Sequence, residues 1–266
     1  MNILFTEDHT NEMKEWLVRT MISVSKWISY TQMKEEKMLA GYLPVTEPFS
    51  EKSLFTAIES HQSVMIKPVL GNFGKGIIQV TVLKEQLYEI HISNRKIVME
   101  GWTKTYRYLI ENHIWDEYIV QQNVQLASID KCLFDIRVMV QRKNLADLWD
   151  ITGKVAKVAI EGFVITNAAK EVMHVEKAIE LSSLNHLNHK HLIASIDRIS
   201  LLVANQLAKY HPQKRTFGLD IGIDRYGRVW VIEANFQPLT TPFEELQDFS
   251  ILQKIKEFRG KKKKVK

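Results

Sequence analysis

The sequence predicts an α+β protein with antiparallel sheets, divided into two lobes. Three observations carry this expectation. Apolar strand-like runs and helical runs are mixed without regular strand–helix alternation, which argues against a doubly wound parallel sheet. Two long strand pairs are closed by short polar turns, LFDIRVMVQRK with LWDITGKVAKVAI around Lys143-Asn144, and FGLDIGI with VWVIEAN around Asp224-Arg225-Tyr226-Gly227. A break near residue 124 separates these pairs from an earlier group of short strands.

The elements follow in order. Residues 10–40 read as helical, with Met13, Trp16, Leu17, Met21, Val24 and Ile28 near helical spacing. GYLPVTEPF is an extended connector with two prolines, and a short helix follows at 51–61. SVMIKPVL is a strand, GNFGKG a loop and IIQVTVL a second strand. Further strands are expected at 87–92 and 96–100, a helix at 103–115, and the strand YIVQQNV at 118–124. After the first long pair, an amphipathic helix covers 189–210 and stops at His211-Pro212. The second pair is followed by one last helix at 243–258.

Composition bounds the class. The 266 residues are 45% hydrophobic and 25% charged, as expected of a soluble globular chain. No apolar run is long enough to span a bilayer, and the first residues lack the basic and apolar regions of a signal peptide. The single cysteine, Cys132, rules out an intramolecular disulfide and points to a reducing, cytoplasmic setting. It reads as an inert thiol, with no activating base beside it. The formal charge of +5 comes from the final RGKKKKVK, without which the chain is close to neutral. No aromatic residues are interleaved there for base stacking, so a solvated tail is expected and no specific nucleic-acid partner. His186, His189 and His191 read as a solvated face and not as a zinc site.

The chemistry-bearing signal is the second hairpin. Carboxylates in strands cost free energy unless something pairs with them. A tight turn at 224–227 pairs Ile223 with Arg228 and sets Asp220 opposite Val231, diagonal to Glu233. The period of two puts Asp220, Glu233 and Asn235 on one face, where oxygen donors suit Mg²⁺. By itself, the same alternation would also describe a strand whose polar face meets water. A second signal is the glycine-rich turn after Lys67-Pro68. Gly71, Gly74 and Gly76 expose backbone N–H groups, and Lys67 and Lys75 bracket them with positive charge, a pattern suited to phosphate. The spacing is neither a Walker A motif nor a dinucleotide fingerprint.

Together, Ile66-Lys67-Pro68, the GNFGKG loop, YIVQQNV, Asp135-Ile136-Arg137, Thr166-Asn167, Asp220 and Glu233-x-Asn235 stand in the order found in ATP-grasp proteins. The chain most resembles the YheC/YheD group, the spore-coat-associated branch, from about Ser25 to Phe258. The resemblance implies an ATP-grasp fold, with residues 25–123 as its N-terminal lobe and 124–258 as its metal-binding C-terminal lobe. Residues 1–24 would be a short helical remnant, and 259–266 a basic tail. It implies ATP and Mg²⁺ as cofactors, with Asp220, Glu233 and Asn235 holding the metal. Lys26, Lys67, the 71–76 loop, Gln121, Gln122, Val124, Lys154 and Asn167 would bind nucleotide, and Arg137 and Lys157 would act on the reacting phosphate.

Three departures bear on activity. Lys154 and Lys157 stand where the family usually has an arginine, Ala168-Ala169-Lys170 replace glycines after Thr-Asn, and the preceding domain is nearly absent. The implied function is a carboxylate–amine ligase that proceeds through an acyl phosphate. The unknown acid and amine, and spore-coat proteins, would be its partners. The alternative is a coat-associated binding or structural protein with little turnover.

Overall fold

The computed structural model describes residues 25–71, 74–163 and 169–259. The expected helical positions Met13 to Val24, the Thr166-Asn167 pair and the lysines of the tail lie outside them. The described residues form the expected α+β fold. A first antiparallel sheet joins β1 (Thr46–Pro48), β2 (Ser63–Pro68), β3 (Ile78–Lys84), β4 (Leu87–Ile92), β5 (Arg95–Glu100) and β6 (Tyr118–Gln122) in the order β1-β6-β2-β3-β4-β5. A second joins β8 (Cys132–Gln141), β9 (Asp150–Ala159), β10 (Ala169–Met173), β11 (Thr216–Ile223) and β12 (Val229–Asn235) in the order β10-β9-β8-β11-β12. The two-residue β7 (Ser128–Ile129) is added beside β8.

The first sheet buries one face under α2 (Glu51–His61) and α3 (Trp102–Asn112), where Leu54, Ile58 and Leu109 meet Val64, Ile66, Val80 and Val120. Ser50 caps α2, exchanging hydrogen bonds with Ser53 in a capping box. The alternate residues Met65, Lys67 and Gln121 therefore point the other way, toward the second sheet. That placement is unusual for a buried lysine and sets up the site described below.

The second sheet has a continuous apolar face. Phe134, Ile136, Val138, Ala156, Val158, Leu219 and Ile221 pack on α4 (Val175–Leu181) and α5 (His189–Tyr210). Helix α1 (Lys26–Lys34) rests on this core as well, through Tyr30 and Met33. The expected helix to residue 40 stops at Lys34. A turn and a 3₁₀ segment (Ala40–Tyr42) follow, and they turn Leu39 and Leu43 into the same core. The last helix also differs from expectation. It divides into α6 (Thr241–Glu245) and α7 (Phe249–Arg259), because Gln247 is left-handed (φ 59°) and the Asp248 carboxylate accepts from Ser250 and Ile251 N–H groups to start a new helix. Arg259 ends α7 and donates to the Pro238 carbonyl (2.8 Å), so it belongs to the body. Strands β1, β7 and β10 and helix α4 were not read from the sequence.

Helices α6 and α7 cover only part of the second sheet's other face. Phe243 and Ile255 pack there on Met139 and Val155, and Gly153 makes the close approach possible. A Cβ at Gly153 would lie 2.8 Å from both Ile251 and Phe243. The Gly153→Ala substitution should therefore lower the urea midpoint by overpacking, with a stability loss of about 1–3 kcal/mol. An unchanged midpoint would show that α7 is free to shift.

Candidate functional site

The uncovered part of that face carries the charged residues. Asp135, Arg137 and Lys157 share it by the period of two, and β11 and β12 bring Asp220, Glu233 and Asn235 alongside. The hairpin register differs from the sequence expectation. Asp224 N–H donates to the Arg228 carbonyl across a three-residue loop in which Gly227 is left-handed (φ 83°), so Ile223 pairs with Val229. A β-bulge between Asp220 and Ile221 then shifts the pairing again. Asp220 stands directly opposite Glu233, not Val231, and Gly218 opposite Asn235. The shared face survives because the second shift restores its parity.

Asp220 is the hub. It is also the register partner of Arg137 on β8, whose guanidinium grips it bidentately, Nε to Oδ1 at 2.9 Å and Nη2 to Oδ2 at 3.0 Å. Lys157 Nζ lies 3.2 Å from Asp220 Oδ1 and 3.1 Å from Asp135 Oδ1, the carboxylate on its own register partner. Asn235 donates its amide N–H to Asp220 Oδ2 at 3.0 Å. Burial by itself would raise the Asp220 carboxyl, but Arg137 and Lys157 outweigh it and hold the group well below the usual carboxylate range. The same pairing overcomes desolvation and raises both cations. Glu233 is different. Burial raises its carboxyl, with Lys26 (3.8 Å) as the nearest opposing charge.

The first sheet supplies the opposite wall. Lys67 Nζ donates to Gln121 Oε1 at 2.5 Å, and Gln121 in turn donates to Thr46 Oγ1 at 3.0 Å. Desolvation lowers the Lys67 ammonium to about 8, with Glu233 the largest opposing influence. Lys26 ties the walls together. Its backbone N–H donates to Val69 O, and its Nζ donates to Gly71 O at 2.7 Å while facing Glu233.

A cavity of about 670 Å³ lies between the sheets. Lys26, Gly71, Gly74 and Lys75 line it on one side, and Arg137, Lys157, Asp220, Glu233 and Asn235 on the other. Gly76 sits behind the loop, where a Cβ would meet Pro68 Cγ at 3.1 Å.

Lys67 and Gln121 are buried behind the residues that line this cavity, and other expected residues are not brought to it. Lys154 lies on the opposite sheet face, because its odd spacing from Lys157 reverses its direction, and its Nζ pairs with Asp197 of α5 at 2.7 Å. Gln122 is tied to Val45 through both backbone and side chain, and the Val124 carbonyl accepts from Leu126 N–H. Asn167 lies outside the described residues. Two features were missed in the sequence. Asp135 anchors Lys157, and its alternation with Arg137 was the available signal. Val172, opposite Lys157 on β10, extends the cavity with Ala169, Leu239 and Pro242 into an apolar end.

Comparisons with known proteins agree with this fold. A family model described as YheC/D like ATP-grasp matches residues 18–258. The endospore coat-associated protein YheD of Bacillus subtilis (strain 168) is 24% identical over 245 residues, covering 84% of this chain and 49% of that protein. YheC of the same organism is 21% identical over 227 residues, covering 80% and 59%. The chain thus spans about half the length of the curated relatives it matches. Among solved structures, D-cycloserine synthetase DcsG shares the fold with a TM-score of 0.52 at 10% identity, over 91% of this chain and 70% of that one.

The buried lysine gives a pH test. Lys67 loses its proton from about pH 8, well below the ordinary 10.5 of a lysine. A bound polyphosphate favours the charged form, so binding above pH 8 must take up a proton and weaken as pH rises. Calorimetry with ATP in EDTA at pH 8.5 (about half a unit above that pKa), where the nucleotide itself carries no titrating proton, in two buffers of different ionisation enthalpy, should show this uptake. Lys67→Met should abolish it. Equal heats in both buffers for the unsubstituted protein would separate Lys67 from the anion.

Proposed function

The chain belongs to the YheC/D-like ATP-grasp family, and on that premise we propose that it joins a carboxylate to an amine with ATP and Mg²⁺, through an acyl phosphate. The observation that carries this reading is the pair of buried cations, Arg137 and Lys157, set beside Asp220, Glu233 and Asn235 on one wall of a cleft. The other wall is a glycine-rich turn with Lys67 behind it. Positioning and charge stabilisation are most of what phosphoryl transfer asks of a protein, and no side chain need become covalently attached.

The donor set fits Mg²⁺. Among the described residues no three His, Cys, Asp or Glu side chains form a metal cluster. Two carboxylates and an amide oxygen suit a hard cation that completes its shell with phosphate oxygens and water. Asn235 spends its N–H on Asp220, which leaves its Oδ1 as an acceptor. Held by Glu233, Asn235 and Asp220, the ion would neutralise charge on the phosphate oxygens.

In this reading Lys26, Lys67 and Lys75 bind the polyphosphate with the 71–76 loop. Arg137 holds the transferred phosphoryl group with its planar fork, and Lys157 stabilises charge as that group passes to the substrate carboxylate oxygen and ADP leaves. The amine then attacks the carbonyl carbon and phosphate departs. The apolar end at Ala169, Val172, Leu239 and Pro242 adjoins Lys157 and accommodates the substrates, whose identity the fold does not set. For the adenine end we propose Gln121, which holds Lys67, with Gln122 and Val124 lying beyond the residues that line the cavity. We retain the lobe division at 123–124, and we propose coat association after synthesis in the cytoplasm.

A second reading is a coat-associated nucleotide-binding protein with little turnover. It is favoured by Lys157, which lacks the bidentate geometry of arginine and is held by two carboxylates.

Two measurements test these readings. ATP should bind more tightly with Mg²⁺ than with EDTA, and Glu233→Gln should lose most of that difference; equal affinities by calorimetry in the unsubstituted protein would remove the metal assignment. ADP release with a panel of amino acids, peptides and coat extract should vanish in Lys157→Ala while ATP affinity stays within about threefold. Lys157→Arg should keep or raise the rate. Equal turnover by the alanine variant would discard this lysine's role.

A further inference from the structure

The Asp220 carboxylate presents about four lone-pair sites, and four N–H donors already use them. Arg137 supplies two, Lys157 one and Asn235 one. A metal ion can reach Asp220 only if one of these donors lets go, and Arg137 and Lys157 are the two that also repel it. The surrounding charge points the same way. Four cationic side chains, Lys26, Lys67, Arg137 and Lys157, surround three carboxylates, Asp135, Asp220 and Glu233. A lone divalent cation would enter a field already positive, whereas a polyphosphate would enter one that attracts it.

We propose that Arg137 and Lys157 compete with the metal for Asp220 and make metal binding conditional on a polyphosphate. Resting on the nucleotide-binding reading above, the inference adds an order to it. Phosphate oxygens draw the guanidinium and ammonium away from Asp220, and the freed carboxylate then accepts the metal. Nucleotide and metal thus bind with strong positive coupling, each raising the affinity of the other by the same factor.

Asp135 makes the exchange reversible. It lies directly across the strand pair from Lys157 and 3.1 Å from its Nζ, so the lysine remains anchored when its bond to Asp220 breaks. Arg137 has the complementary property. Its rigid fork matches phosphate as well as carboxylate, so one partner can replace the other without a new geometry.

Water-proton relaxation enhancement by Mn²⁺ reads the coupling without turnover, because it reports the slow tumbling of protein-bound metal. Unsubstituted protein should give no enhancement with Mn²⁺ alone and a large one with Mn²⁺ and a non-hydrolysable ATP analogue. Arg137→Gln should bind Mn²⁺ alone at least about tenfold more tightly than the unsubstituted protein, a shift of the size expected for one removed competing charge. It should also bind the metal-free analogue more weakly by calorimetry. Lys157→Gln, with only one bond to Asp220 removed, should show the same change in smaller measure and serves if the arginine variant does not fold.

Mn²⁺ binding by the unsubstituted protein without nucleotide, lost in Glu233→Gln, would overturn the competition. So would folded Arg137→Gln and Lys157→Gln proteins with no gain in metal affinity. Should the analogue bind neither with Mn²⁺ nor in EDTA, the nucleotide reading itself fails and carries this inference with it. Binding of the analogue together with independent metal binding would instead remove only the competition.

Discussion

The bidentate bond between Arg137 and Asp220 is the constraint on which the rest of the site depends. It joins two neighbouring strands of the second sheet, places a fixed positive charge over one end of the cleft, and offsets the burial of a carboxylate. Lys157 and Asn235 both bond the same Asp220 carboxylate, and Asp135 holds Lys157 from the other side. Removing one partner would leave an uncompensated charge in a buried setting, at a cost of about 3–5 kcal/mol. A pair of this kind is a poor way to gain stability, since apolar residues of similar volume serve as well or better. Its presence on a strand face that also lines a cavity is better explained by what it can bind.

The two sheets contribute unlike halves to that cavity. The first sheet hides its apolar face under α2 and α3 and turns Lys67 toward the second sheet. The second sheet hides its apolar face under α1, α4 and α5, and it leaves a charged strip where α6 and α7 do not reach. Lys26 sits at the junction. It begins a helix packed on the second sheet's core, yet it hydrogen-bonds the glycine turn of the first sheet and faces Glu233. Farther along, His91 of β4 meets the Gly162 carbonyl beyond β9 at 3.0 Å, a second polar link between the sheets. Polar links thus bridge the cleft both within the site, at Lys26, and away from it, at His91.

Much of this was legible in the sequence because the period of two is a hard rule. It placed Asp220, Glu233 and Asn235 on one face even though the turn was read one residue too short and the bulge was unread. Two shifts of register combined to preserve the face while changing the direct partner of Asp220 from Val231 to Glu233. The same rule, applied to Lys154 and Lys157, separates them onto opposite faces, so Lys154's place away from the cleft was available and overlooked. Other features had no local signal. Nothing in QQNV shows that Gln122 ties itself to Val45, because that contact spans 77 residues of chain. The break at Gln247 depends on one left-handed residue that is not glycine, and helical periodicity runs straight through it.

A structure of the protein with Mg²⁺ and a non-hydrolysable ATP analogue tests the central claim most directly. The account predicts phosphate oxygens about 3 Å from the Arg137 guanidinium, a charge-assisted hydrogen-bond distance. Asp220 should have exchanged Arg137 for the metal, and Lys157 should remain beside Asp135. A nucleotide bound in this cleft above an intact Arg137–Asp220 pair, or bound elsewhere on the chain, would contradict it.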